Sequence, residues 1–271
     1  MHQRISINSI CLLPASLEQQ AQHWRELAAT RVSLVGPQLD DEGLAAAERA
    51  LAGGDYILET LMHPFSPQQT LNPDPDSWQQ PRSRLMARIE QARQLGAKSI
   101  YMTSGGHGSL TWEQAAQIFA DAVAPCVKRA RDAGIQLMIE NAPPAYADMH
   151  IAHSLRDTVA LAELAEIGVL IDLPGCWTEA GLDTSMRRAL PRCGLVQISD
   201  YVCGDRGLPA RAVPGDGDMP LQRLLGWLLE AGYEGAFELE LVGPRIDGEG
   251  HVAATRRAAT QLGELLRSLG I

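Results

Sequence analysis

The chain has 271 residues, 45% of them hydrophobic and only 5% aromatic, with 33 acidic against 23 basic side chains and a formal net charge of −10. This is ordinary for a globular protein with a mostly aliphatic core, and the acidic balance argues against nucleic acid and anionic membrane as partners, because phosphate binding needs a basic surface. The five cysteines show no Cys-x-x-Cys spacing, which fits free thiols in a reducing, cytoplasmic compartment; no signal peptide and no run near ~18 apolar residues is seen, so no membrane span is expected.

Residues 5–10 alternate Ile, Ser, Ile, Asn, Ser, Ile and predict a first strand. Ser16, with Gln19 three positions on, has capping-box spacing and opens a helix expected to reach about Ala29. A second strand is expected over 32–35, closed by Gly36-Pro37, then a short Ala-rich helix over 43–51. A third strand over 56–61 leads directly into His63-Pro64-Phe65. The stretch 66–81, rich in Pro, Gln, Asn and Asp, reads as a long loop of the kind that often serves as a lid. A helix over 82–95 ends at Gly96, a fitting C-cap. A fourth strand over Ser99–Thr103 runs into the Ser-Gly-Gly-His-Gly-Ser turn around His107, and a long helix over 111–133 is expected to kink at Pro125. The fifth strand is Gln136–Glu140, followed by a helix over 154–166, a sixth strand Gly168–Asp172, a short helix over 184–190 and a seventh strand over 195–199. A helix over 221–231, an eighth strand over 235–241 and a closing helix over 252–269 complete the chain. Eight strands alternating with eight helices imply parallel strands with helical crossovers. At this length the pattern predicts an α/β protein, a (β/α)8 TIM barrel, as one domain over 1–271.

Four successive strand-like runs carry oxygen donors near their C-terminal ends: Glu140, then Asp172, then Gln197, then Glu238 and Glu240. A carboxylate ending an apolar strand is costly unless it pairs, protonates or binds a cation, and barrel enzymes keep their catalytic groups at these strand ends. Glu140, Asp172, Gln197 and Glu240 are therefore expected to hold one hard divalent cation, Mg²⁺ or Mn²⁺. Two octahedral positions remain for adjacent oxygens of a hydroxy-carbonyl substrate. The ion would stabilise an enediolate as a Lewis acid, while Glu140 and Glu240 take a proton from carbon and return it. Glu238 is expected to face the same side as Glu240, one layer deeper. Asp200 reads as a loop cap, and His150 and His153 carry no assigned role. The turn around His107 lacks the Gly-Lys-Ser/Thr ending of a phosphate loop.

These motifs, in this order, resemble those of the xylose isomerase-like TIM barrels, in particular the sugar phosphate isomerase/epimerase family. The resemblance spans nearly the whole chain and is best in its second half. It rests on LMIEN ending in Glu140-Asn141, LID ending in Asp172, LVQISD with Gln197 in the family's His place, VPGDGDMPL from Val213, and YEGAFELE with Tyr233, Gly235 and Glu240. The hydroxypyruvate-isomerase branch of the family also has Gln at the position of Gln197. The His that many members carry shortly after the sixth-strand Asp is absent, since Leu173-Pro174-Gly175 follows instead. The resemblance implies a metal-dependent isomerase or epimerase acting on a hydroxy-carbonyl small molecule in carbohydrate metabolism. It also implies substrate contacts from His63, after the third strand, and from His107. Arg206 and Arg211, in the loop after the seventh strand, offer bidentate contacts to a carboxylate or phosphate. A dehydratase or lyase using the same metal-enolate chemistry is the alternative. A nuclease of the endonuclease-IV type shares the barrel but needs a three-metal cluster with histidines that this chain lacks, and a metal-free binding role on a decayed barrel is a third class. Self-association into a homo-oligomer is left open.

Overall fold

The computed structural model describes residues 1–67 and 69–271. Short apolar runs become eight strands: β1 (Ile5–Asn8), β2 (Arg31–Leu34), β3 (Ile57–Pro64), β4 (Ser99–Thr103), β5 (Gln136–Glu140), β6 (Gly168–Asp172), β7 (Cys193–Ile198) and β8 (Phe237–Leu239). They follow one another in chain order around a closed barrel. The helices are α1 (Leu17–Glu26), α2 (Gly36–Glu42), α3 (Leu44–Leu51), α4 (Gln79–Leu95), α5 (Trp112–Asp132), α6 (Leu155–Leu164), α7 (Leu173–Cys176), α8 (Leu182–Ala189), α9 (Leu221–Glu230), α10 (Pro244–Glu249) and α11 (His251–Ser268). Among the described residues no helix is long and apolar enough to cross a membrane.

Local chemistry explains where the helices begin. Ser16 and Thr111 cap α1 and α5 with complete capping boxes, each side chain accepting from the residue three positions on, and Ser154 caps α6. Gly96 closes α4 in the left-handed conformation at φ +71°. Several boundaries differ from the sequence expectation. Gly36-Pro37 opens α2 rather than closing β2, and α7 and α10 likewise start with proline in their first two positions. A proline there gives up an N–H that no helix would have used. α5 runs on through Pro125. β3 extends to Pro64 and so includes His63. Within 66–81, a 3₁₀ turn forms at Pro75–Trp78 and α4 starts at Gln79; Gln68 lies outside the described residues.

By packing, the chain divides into two units, residues 1–59 with 195–271 and residues 60–194. In the first, β1 pairs in parallel with β2 and β8, and β7 with β8; Ser6 stands opposite both Arg31 and Glu238. Trp24 and Phe237 are fully buried there, with Tyr56 edge-on to Trp24 and Tyr233 edge-on to Phe237. In the second unit, β3, β4, β5 and β6 pair in sequence. Phe65 meets Phe119 of α5 at 5.5 Å and 90°. Each such buried side chain contributes roughly 1.5–3 kcal/mol by removal from water.

Candidate functional site

In the unit formed by residues 60–194, Glu140 and Asp172 end adjacent strands. The last registered pair of β5 and β6 is Glu140 opposite Leu170. Beyond it a side chain continues the ladder. Asn141, fully buried, donates from Nδ2 to the Asp172 carbonyl at 2.8 Å and accepts from the Asp172 N–H at 3.0 Å. The backbone at Asp172 is thereby clamped at two points. Gly175 packs into the same corner: a Cβ at position 175 would lie 2.7 Å from Asn141 Nδ2 and 3.0 Å from Asp172 Oδ2.

Glu140 is held from the other side by His150. This imidazole is fully buried. Its Nδ1 accepts from the Ser104 N–H at 3.0 Å, which assigns the ring proton to Nε2, and Nε2 donates to the Glu140 carbonyl at 2.7 Å. Burial pushes His150 down to about 4, against the raising effect of the Glu140 hydrogen bond. The neutral ring this favours is the form that can accept from Ser104.

His63 lies near the end of β3, 2% exposed, and neither ring nitrogen has a hydrogen-bond partner among the described residues. Burial, then the charges of Arg88 and Arg84, push it down to about 3. His107 is half-buried in its turn, with Nδ1 3.1 Å from the Leu110 carbonyl. The glycine beside it serves packing of chain against chain, because a Cβ at Gly106 would come within 2.6 Å of the Asp148 carbonyl oxygen.

In the unit formed by residues 1–59 and 195–271, β8 ends at Leu239, one residue short of Glu240. Two contacts prolong its order. The Glu240 N–H donates to the Ile198 carbonyl at 3.2 Å. Cys11, fully buried, donates from Sγ to the Leu239 carbonyl at 3.1 Å and accepts from the Leu241 N–H at 3.2 Å. Burial pushes that thiol far up, so it stays protonated and able to donate.

Gln197 and Glu238 are fully buried. Gln197 Nε2 donates to Glu238 Oε2 at 2.9 Å and lies 3.4 Å from Glu240 Oε1. Asn8 Nδ2 donates to the same Glu238 oxygen at 2.9 Å. Gln197 Oε1 is buried with no hydrogen-bond partner among the described residues. Burial raises the Glu238 carboxyl above its ordinary value, opposed by hydrogen bonds from Ser33, Gln197 and Asn8. Gln197, Glu238 and Glu240 thus form one polar cluster at the ends of β7 and β8, as their spacing in the sequence suggests.

The loop after β7 sorts its two arginines. Arg206 is exposed, whereas Arg211, with a side chain 14% exposed, reaches Glu240 Oε2 at 3.0 Å. The reason lies next to Arg211. Ala212 and Asp200 exchange backbone hydrogen bonds at 2.8 Å in each direction, so Arg211 sits at the anchored end of the loop. Asp200 also accepts from the N–H groups of Tyr201, Gly215 and Met219, which makes it the loop organiser that its sequence position suggests. The sequence left His150 without a role, gave Asn141 only as part of the Glu140-Asn141 motif, and offered Arg211 as an anion contact rather than as the partner of Glu240.

The sequence profile of a family described as xylose isomerase-like TIM barrel matches residues 19–268. No curated protein matches the chain by sequence. Among solved structures, a protein from Sinorhizobium meliloti 1021 superposes with a TM-score of 0.84 at 21% identity, covering 98% of each chain. IolI, solved with a bound zinc atom, gives 0.81 at 14% identity over 98% of each chain. D-psicose 3-epimerase from Clostridium cellulolyticum H10, solved with D-tagatose, gives 0.80 at 16% identity, covering 99% of this chain and 100% of that one. Other matched structures are described as an AP endonuclease and as a probable dehydratase. At these identities the likeness is one of fold.

Proposed function

Because the chain belongs to the xylose isomerase-like TIM barrel family, we propose that it is a divalent-metal-dependent isomerase or epimerase of a small hydroxy-carbonyl compound. The observation that carries this reading is Gln197 Oε1, a buried acceptor with no hydrogen-bond partner among the described residues, beside the Glu240 carboxylate. A buried amide oxygen left unpaired costs roughly 1–3 kcal/mol, a cost that a cation would offset. Glu140, Asp172 and Glu240 are the carboxylates assigned to one metal ion. With Gln197 they make an all-oxygen donor set, which suits Mg²⁺ or Mn²⁺. Such an ion supplies positive charge where a substrate carbonyl oxygen becomes anionic.

The protein's own groups do the rest. Glu140 and Glu240 are the carboxylates assigned to move a proton off and back onto the carbon next to the carbonyl. The Asn141 clamp and the His150 hydrogen bond hold the backbone at Asp172 and Glu140 still, and the Cys11 and Ile198 contacts do so at Glu240. Arg211, on Glu240, is the cation best placed in this unit for an anionic substrate oxygen. His63 and His107 remain assigned as substrate contacts on the strength of the family resemblance, and Arg206 by its place in the loop after β7.

The test is Mn²⁺ titration of the metal-free protein, followed by incubation with dihydroxyacetone, hydroxypyruvate and ketohexoses in D₂O. The expected result is one Mn²⁺ bound and deuterium in the carbon next to the carbonyl of an accepted compound. Glu140→Gln and Glu240→Gln should each lower exchange by about 10²–10⁴-fold while retaining some metal. Wild-type protein that binds no Mn²⁺ overturns the metal reading. Exchange at the wild-type rate in both Gln variants removes the two carboxylates as the bases. Accumulation of an unsaturated, dehydrated product favours the lyase alternative.

A further inference from the structure

Glu238 stands behind Gln197 and is absent from the ligand set. We propose that Glu238 is a positioning residue, an orientation lock that forces the Gln197 side chain to offer oxygen rather than nitrogen to a hard cation. The inference rests on the reading of the metal centre given above.

A glutamine amide has two ends of nearly equal size and opposite chemistry: an oxygen that can ligate a cation and an NH₂ that cannot. Which end faces outward is decided by what holds the other end. Here the hydrogen bonds run in one direction from the backbone outward. The Ile10 N–H donates to Asn8 Oδ1 at 3.0 Å, and a backbone N–H cannot act as an acceptor. Asn8 must therefore turn its NH₂ the other way, toward Glu238 Oε2 at 2.9 Å. That fixes Oε2 as an acceptor whatever the protonation of Glu238, since a proton would sit on Oε1. Gln197 meets the same Oε2 at 2.9 Å and can do so only with Nε2. Its Oε1 is left as the buried atom without a partner. Glu240 Oε1, 3.4 Å from Nε2, is a second acceptor on the nitrogen side.

The lock explains why a carboxyl is kept at a position that is 0% exposed, where an ionisable group is costly. A glutamine at 238 has nearly the same shape but two chemically different ends. While Asn8 is present it keeps the oxygen of that glutamine toward Gln197; with Asn8 removed as well, the NH₂ can face Gln197 Oε1 and turn that amide round. A histidine at 197 escapes this, because its ring N–H needs only an acceptor oxygen behind it while the other nitrogen serves the ion.

The experiment is Mn²⁺ affinity, by titration followed by electron paramagnetic resonance, for wild type, Asn8→Ala/Glu238→Gln, Gln197→His and the three substitutions together. Loss of a partner that orients a metal ligand costs about 10–100-fold in affinity. Asn8→Ala/Glu238→Gln should show that loss in the wild-type background, and the triple variant should bind within about twofold of Gln197→His. Equal losses in both backgrounds, or none in either, overturn the lock, because a merely structural role would not depend on residue 197. A second readout needs no metal. The Gln197 side-chain NH₂ signals, identified by their disappearance in Gln197→His, should be protected from solvent exchange in wild type and lose protection in Asn8→Ala/Glu238→Gln. Unprotected signals in wild type overturn the lock. Protection in a wild-type protein that binds no Mn²⁺ supports the lock and overturns the metal reading alone. If Asn8→Ala/Glu238→Gln does not fold, Glu238→Gln alone, in which Asn8 still holds an oxygen toward Gln197, should bind Mn²⁺ within about twofold of wild type, and a loss of about tenfold or more overturns the lock.

Discussion

Position 175 has room for a hydrogen and nothing larger. With Asn141 Nδ2 and Asp172 Oδ2 at 2.7 and 3.0 Å from where a Cβ would stand, Gly175→Ala pushes on the two-point clamp of Asn141 and on the Asp172 carboxylate together. Overpacking of this kind costs about 1–3 kcal/mol. Urea unfolding should show that loss, accompanied by weaker Mn²⁺ binding; unchanged binding would mean that the Asp172 carboxylate adapts freely. His63 makes a separate residue-scale prediction. Its folded-state value, about 3, lies below its ordinary 6.5, so between these values the unfolded chain takes up a proton that the folded one refuses. The stabilisation from keeping the ring neutral is complete above pH 6.5 and is lost as pH falls toward 3, with a slope of up to about 1.4 kcal/mol per pH unit. His63→Leu removes two unpartnered nitrogens and should flatten that slope in unfolding curves measured from pH 7 to 4.5. The remaining slope belongs in part to His150, which titrates in the same direction.

At the scale of elements, the shortness of β8 is the telling feature. Its three residues stop before Glu240, and the Cys11 sulfur supplies the rung that a longer strand would have had. Cys11→Ala leaves the Leu241 N–H buried without that partner, a loss of about 1–3 kcal/mol. Thermal denaturation should register it, and faster amide exchange at Leu241 would localise it; unchanged exchange there would assign the rung elsewhere. The strands that the sequence marks most sharply, β4, β5 and β6, have the expected boundaries because each is an apolar run closed by a polar or turn residue. α2, α7 and α10 were illegible for one shared reason. Each begins with proline in its first turn, and proline reads as a breaker unless the position of the helix start is already known.

At the scale of the whole chain, Glu140, Asp172, Gln197 and Glu240, the residues proposed to hold a metal ion, stand out in the sequence because each lies at or near the end of an apolar run, a local signal. The residues that orient them do not. Asn8 and Glu238 are 230 positions apart, Ser104 and His150 46, and Asn141 and Asp172 31. Contacts at such separations leave no periodicity in the sequence. The same spread makes a global prediction. If several carboxylates share one cation, removing it leaves like charges facing each other. A saturating ion stabilises only the folded chain, by about 2.7 kcal/mol at a hundredfold excess over Kd. Chelation should therefore lower Tm by several degrees and Mn²⁺ should restore it; Tm values indifferent to both would count against a shared ion.

Asp200 and Ala212, joined by reciprocal backbone hydrogen bonds, clip shut the chain between them. Tyr201, Cys203 and Asp205 are tied to Asp218 and Arg245 beyond the clip, which leaves 206–208 as the part whose length the clip does not feel. Loop-closure entropy grows only by about 0.6 kcal/mol for each doubling of length. The stretch 206–208 is thus a cassette: this outer part, where Arg206 and Leu208 are exposed, can be lengthened or replaced at small thermodynamic cost while Arg211 keeps its place against Glu240. New specificity can be written into this barrel there without rebuilding the ends of its strands.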